Sequence, residues 1–451
     1  MALGASPALA TTIDVTALID RQKIGSLQIR ALVMCFAVLL TAGYDLLAIA
    51  NVGPILTEAL HIDGSALGPI FSAGFFGMVL GGLLFGPLAD WLGRRRMIIA
   101  SAIFFGLCTL LTGFATSVNG LLALRFLTGL GLGGAIPNTI ALVTELAPHR
   151  ARATMVTVTQ AGFAVGAALS GVIVAWLVDA FAWRTVFYLG GIVPLLLTPI
   201  LFASLPESIR FLMLKGGSTE AVTAILSRID PQLRLTPDAI FVGHEEHRKG
   251  VPILHLFGEG RALGTTLLWI AFIANLLALN FLASWLPTLV TNSGLPARQA
   301  VWSAVLFHGG GIVGAVALGR LADLRGAYRV LPIALFAGAI LTSVAGFVGS
   351  SLGLILIVSL GMGFCIAGAA IGLGAVAGAY YPTYIRATGA GWATGIGDTG
   401  SVLSGVLGTL LLTTQWSIPA IFLANACVAV CAAVAIFLMG LSRQRKSHLD
   451  Y

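Results

Sequence analysis

Four ionisable side chains stand inside long apolar runs: Asp45 in AGYDLLAIANVGP, Arg125 in RFLTGLG, His308 in FHGGG and Asp398 in TGIGDTGS. On insertion scales a charge at the centre of an apolar span costs at least about 2.5 kcal/mol, so each is a functional candidate. A carboxylate in such a setting is suited to take up and release a proton in each working cycle. Alternatively, Asp45 stays ionised against Arg125, and the two readings are compatible. A guanidinium is always charged and at depth needs an acid, a substrate carboxylate or backbone carbonyls around it. His308 is either a titrating group or a hydrogen-bonding bridge between helices. No HExxH, GxSxG or phosphate loop is present, and no nucleophile clusters with a base, so no enzyme chemistry is expected.

The elements that must hold these groups are membrane spans. Of 451 residues, 58% are hydrophobic and 10% charged, against about 25% charged in soluble domains. Runs of ~20 apolar residues, enough to cross a bilayer as a helix, fall near 29–55, 66–88, 97–116, 119–143, 154–179, 184–205, 264–291, 300–321, 329–349, 352–381, 388–413 and 416–441. With both termini cytoplasmic, all but Arg125, Arg184 and Arg298 of the 25 Lys and Arg border or occupy cytoplasmic segments, as the positive-inside rule requires. The net charge of +7 thereby has a topological origin and does not imply nucleic acid. No cleavable signal is expected, because Met1 to Arg30 holds no continuous apolar core. Cys35, Cys108, Cys365, Cys427 and Cys431 all fall in spans, away from metal-ligand spacings, and are expected to be buried free thiols.

The chain repeats itself. GPLADWLGRRR at 86–96 answers GRLADLRGAYR at 319–329, PHRARAT at 148–154 answers PTYIRAT at 382–388, and Pro54 answers Pro287, at offsets of 233 or 234. A duplicated six-helix half is characteristic of secondary transporters that rock about a midplane site. The expected organisation is an all-α membrane protein: a tail at 1–28, a six-helix bundle at 29–206, a cytoplasmic linker with one or two short helices at 207–263, a second bundle at 264–441 and a tail at 442–451. Asp45 and Asp398 have Ala278 and Ala164 as their counterparts, so neither belongs to the repeat.

GPLADWLGRRR resembles the loop signature of the major facilitator superfamily, RFLTGLG its fourth-span motif, and PESIRFL the segment that often ends its sixth span. RFLTGLGLGGAIPNTIALVTELAP, AGYDLLAIANVGP and YYPTYIRATGAGWATGIG resemble the aromatic acid:proton symporter family. That resemblance implies proton-coupled import of a small benzoate-like carboxylate by alternating access, Arg125 linked to proton coupling, and Arg125 or Arg386 as the substrate's cationic partner. The chain departs from the family where Ala42 stands for an acid and Asp398 for an arginine. An extra negative charge suits a neutral or cationic compound instead, imported or exported.

The candidate residues are thus Asp45 and Arg125 for proton coupling, and Tyr44, Asn138, Gln160, Asn280, His308, Trp392 and Asp398 for substrate. Gating falls to Gly86, Asp90, Gly93, Arg94, Glu145, Arg152, Asp323, Arg329 and Arg386, with a latch repeated in both halves. Expected partners are a small organic substrate, protons and the lipid bilayer. No cofactor or metal is expected, and the working form is a monomer in a bacterial-type inner membrane.

Overall fold

The computed structural model describes residues 12–214, 219–229, 240–242, 252–258, 260–382 and 385–449. The first half consists of α2 (Ser26–Leu60), α3 (Leu67–Leu92), α4 (Arg94–Thr112), α5 (Val118–Leu146), α6 (Arg152–Phe181) and α7 (Arg184–Ser204), preceded by β1 (Thr12–Asp14) and α1 (Val15–Arg21). The second half consists of α11 (Ala262–Asn292), α12 (Ala297–Arg325), α13 (Ala327–Ala345), α14 (Leu352–Met362) continued through a π turn into α15 (Gly368–Tyr380), α16 (Arg386–Thr413) and α17 (Ile418–Leu449). Twelve helices among the described residues are long and apolar enough to cross a membrane. Large apolar side chains such as Leu83, Trp176 and Ile333 are exposed on their outer faces, where lipid replaces water as the solvent.

Between the halves lie three short helices, α8 (Ile209–Leu214), α9 (Thr219–Ile229) and α10 (Pro252–Phe257), with β2 (Ile240–Val242). The linker therefore carries one helix more than expected. A parallel pairing of β1 with β2 ties the N-terminal segment to it, which no local sequence pattern announces. The HEEHRKG run lies outside the described residues.

Within a half, small residues let backbones touch. A Cβ added to Gly133 of α5 would stand 2.6 Å from the Gly82 backbone nitrogen of α3, and Gly77 and Gly81 face the carbonyls of Phe126 and Leu130 just as closely. Such contacts replace a hydrophobic driving force that lipid does not supply. Gly93, at φ 104°, breaks α3 from α4, a conformation that glycine adopts without Cβ strain.

The halves meet centrally, where Gly53 of α2 lies against Thr288 and Phe71 of α3 packs edge-on to Trp285 of α11, and along two seams at the sides. On one, α3 touches α16: Thr409 Oγ1 donates to Ser65 O at 2.8 Å, Ser72 Oγ donates to Val402 O at 2.8 Å, and Gly68 lies against Gly405. On the other, α6 touches α12: Gly171 lies against Val301 and Val305, and Arg298 Nε donates to Ala175 O at 3.2 Å. All these contacts lie toward the end of the bundle away from the linker. Toward the linker the same helix faces separate, and a Cβ at Gly86, Gly319, Gly391 or Gly395 would meet nothing within 4 Å. The molecule is closed at the far end and open at the linker end.

The cysteines are not all buried. Cys35, Cys108 and Cys365 are, but Cys427 and Cys431 are exposed. Four residues apart, they share one face of α17, and that face turns outward at the periphery of the second half.

Candidate functional site

Asp45 and Arg125 meet in the interior of the first half. Asp45, fully buried on α2, accepts from Arg125 Nη1 at 3.3 Å, and Arg125, 3% exposed, projects from α5. Three threonines complete the shell. Thr109 Oγ1 lies 2.5 Å from Asp45 Oδ1, while Arg125 Nη2 donates to Thr112 Oγ1 at 2.7 Å and to Thr128 Oγ1 at 3.2 Å. The guanidinium carbon also lies 5.4 Å from the Phe187 ring centroid, within cation–π range. Arg125 therefore has anchors that do not depend on the charge of Asp45. The second carboxylate oxygen, Oδ2, finds no hydrogen-bond partner among the described residues.

A narrow cleft opens beside this pair. Its walls include Asp45, Ile49, Phe71, Phe75, Arg125 and, from the second half, Ser284 of α11. The ion pair thus borders the interface between halves although both its members come from one. Asn280 lies one turn from Ser284 toward the linker and donates to Ser401 Oγ of α16 at 2.9 Å. Gln160, exposed on α6, shares the seam face of Gly171, at about 100° per residue. Asp398, half-buried, shares the seam face of Val402 and Gly405 on α16, and no ion pair among the described residues includes it. His308, 9% exposed, shares the face of Val301 and Val305 on α12, and its Nε2 lacks a partner among the described residues.

Three candidate substrate residues are placed elsewhere. The Tyr44 hydroxyl donates to Val186 O at 2.9 Å, because one residue along α2 turns the side chain about 100° from Asp45 and onto α7. Asn138 is buried and donates to Gly134 O of its own helix at 2.7 Å. Trp392 stacks on Trp269 with centroids 6.5 Å apart; six residues from Asp398, it lies about a third of a turn away around α16.

Of the candidate gating residues, Asp90, Arg94 and Glu145 of the first half form an ion-pair cluster at the linker end. Arg94 Nε pairs with Glu145 Oε1 at 2.7 Å and Arg94 Nη2 with Asp90 Oδ1 at 3.2 Å. Glu145 also accepts from Ser208 Oγ, and Glu207 Oε1 accepts from the Arg95 backbone N–H at 3.0 Å, beside Gly93. In the second half Asp323 and Arg329 are exposed, and no ion pair among the described residues includes them. In the repeat Arg94 corresponds to Ala327 and Glu145 to Ala379, so the second half has no counterpart of the Arg94–Glu145 pair. Gly86 lies on the open face of α3. Arg152 is half-buried on α6 with Nε unpartnered among the described residues, and Arg386 Nε donates to Tyr381 O at 3.5 Å. Neither joins the Arg94 cluster.

The site also uses Thr109, Thr112, Thr128 and Ser284, which sequence reasoning does not single out. Hydroxyl residues are common in spans, and nothing in their spacing sets these four apart. Glu207 and Ser208 lie within PESIRFL, whose position after the sixth span is the one signal that points toward them.

The chain has full-length relatives. It is 36% identical to the 4-hydroxybenzoate transporter PcaK of Pseudomonas aeruginosa, with 99% of each chain covered. It is 34% identical to a gallate transporter of Pseudomonas putida, covering 97% of this chain and 98% of that one. It is 32% identical to a benzoate transport protein of Acinetobacter baylyi, covering 96% and 93%. Among solved structures, the xylose transporter XylE from E. coli, in a partially occluded inward-open conformation, superposes with a TM-score of 0.70 at 18% identity, covering 91% of this chain and 97% of that one. The pattern of the Major Facilitator Superfamily matches residues 33–343 and again 268–450. With twelve spans in two repeated halves and relatives above 30% identity along its whole length, the chain belongs to the Major Facilitator Superfamily.

Proposed function

We propose that the protein imports a small aromatic carboxylate, of the benzoate or hydroxybenzoate kind, together with protons. The observation that carries this reading is the buried Asp45–Arg125 pair bordering the cleft between halves. Arg125 keeps its place through Thr112 and Thr128 whatever the state of Asp45, so the acid is free to exchange a proton while the guanidinium keeps the site positive. That local positive charge favours an anionic substrate, and relatives named for 4-hydroxybenzoate, gallate and benzoate agree with it. The linker end faces the cytoplasm of a bacterial cell, with both termini there, and the monomer works from the proton gradient without a cofactor. The described state is then inward-open.

The test is uptake by purified protein in liposomes carrying a pH-sensitive dye, with labelled 4-hydroxybenzoate and an inward proton gradient. Acidification of the lumen should accompany uptake in the wild type and vanish in Asp45→Asn. Undiminished proton movement in that variant would rule out Asp45 as the carrier.

A further inference from the structure

The two seams have the same register, and it points to one residue on each. On the first, Thr409 meets Ser65, Gly405 meets Gly68 and Val402 meets Ser72, so α16 and α3 run antiparallel. Continued one turn toward the linker, the same register aligns Asp398 with Phe75 and Phe76, and beyond it a Cβ at Gly395 or Gly391 would meet nothing within 4 Å. Phe75 is itself a wall of the cleft beside Asp45 and Arg125. On the second seam, Gly171 meets Val301 and Val305, and the same register continued one turn aligns His308 with Val165 and Ala164. The repeat relates these positions directly: Gly68 corresponds to Val301, Gly171 to Gly405, and Phe75 to His308. At the ends of the seams the second half presents one polar group against apolar ones of the first half, with the exposed Gln160 a turn further along α6.

Neither polar group is satisfied by the described residues. Asp398 has no hydrogen bond or ion pair there, and His308 has a nitrogen without a partner although it is nine-tenths buried. The seam hydrogen bonds lie on the far side of both, at Ser72–Val402 and Arg298–Ala175. What satisfies Asp398 must arrive from the open side. An ionised carboxylate is an acceptor only, so its complement is a hydrogen-bond donor.

We infer that Asp398 is a specificity-determining residue of the second half, taking a hydroxyl or amino donor on the substrate's ring, with His308 as a second ligand contact on the opposite seam. This rests on the proposed aromatic-acid reading and narrows it. Arg125 in the first half favours the carboxylate end, Asp398 in the second favours a donor-bearing end, and a molecule offering both is drawn to where the halves meet. Unsubstituted benzoate offers Asp398 nothing and leaves it desolvated without a partner.

Binding of benzoate, 4-hydroxybenzoate, 4-aminobenzoate, phenol and benzylamine to the purified full-length protein tests this. The donor-bearing acids should bind roughly tenfold or more tighter than benzoate, as expected for a hydrogen bond to a charged group. In Asp398→Ala that preference should fall to about one, with benzoate binding more tightly than to the wild type because no carboxylate is left desolvated, and Asp398→Asn, which keeps an acceptor oxygen, should retain some of it. His308→Leu should weaken every bound compound alike without altering the preference. A donor preference that survives Asp398→Ala overturns the assignment, and so does a protein that binds none of the five. Unchanged affinities in His308→Leu overturn the role given to His308. Binding of phenol and benzylamine but of none of the acids, with the affinity lost in Asp398→Ala, would support Asp398 and refute the aromatic-acid reading.

Discussion

Gly405→Ala isolates the far-end closure from the rest of the molecule. An added Cβ would stand 2.5 Å from Gly68 O and 2.9 Å from Ser72 N, where ordinary contact begins near 3.4 Å. The clashing atoms are on α3, in the other half, so neither bundle need repack internally. The seam must open by about an ångström, or the closed form must bear an overpacking cost of about 1–3 kcal/mol. A conformation open at the far end does not make this contact, so the same energy appears as a shift of roughly 5- to 150-fold toward that conformation. Spin labels on cysteines replacing the exposed Asp63 and Thr414, in a background without the five native cysteines, read the separation of the two helix ends by pulsed electron resonance. A longer distance should gain population in Gly405→Ala. A well-folded variant with an unchanged distance distribution would refute the view that this seam is the moving contact.

Gly133→Ala is the matched control: its Cβ would stand 2.6 Å from Gly82 N within the first half, so thermal melting should show a loss of about 1–3 kcal/mol while the same label distance stays put. Arg94→Ala leaves Glu145 without the partner it holds at 2.7 Å. Because Glu145 is half-buried, the linker-side end of α5 should open more readily, read as faster amide exchange from Leu142 to Leu146, and wild-type exchange rates there would dismiss the latch.

The sequence by itself determines the spans, the duplication and the two lone acids. Hydropathy does this because a bilayer forces every backbone group into a helix, so that long apolar runs have one structural solution. The repeat follows because a duplicated half keeps its glycines and loop charges at a constant offset, as Gly86 and Asp90 do with Gly319 and Asp323. The duplicated aspartates are readable, but that the second half, with Ala327 and Ala379, has no counterpart of the Arg94–Glu145 pair is readable only once Glu145 is known to be the partner of Arg94. That partnership crosses from α4 to α5, and only tertiary packing sets it.

Direction around a helix axis is likewise decided by the fold. Tyr44 and Asp45 are neighbours in sequence, but one meets Val186 on α7 and the other meets Arg125 on α5. Trp392 and Asp398 occupy one segment and face different ways around α16 for the same reason: about 100° per residue separates what the chain keeps together. An amphipathic pattern would reveal these faces in water, but a span bordered by lipid on one side and apolar packing on the other carries almost no polarity contrast to read. That α3 touches α16 at Gly68 and Gly405, and again at Ser72 and Val402, is likewise set by packing between the halves, which brings together residues more than 300 positions apart in the chain.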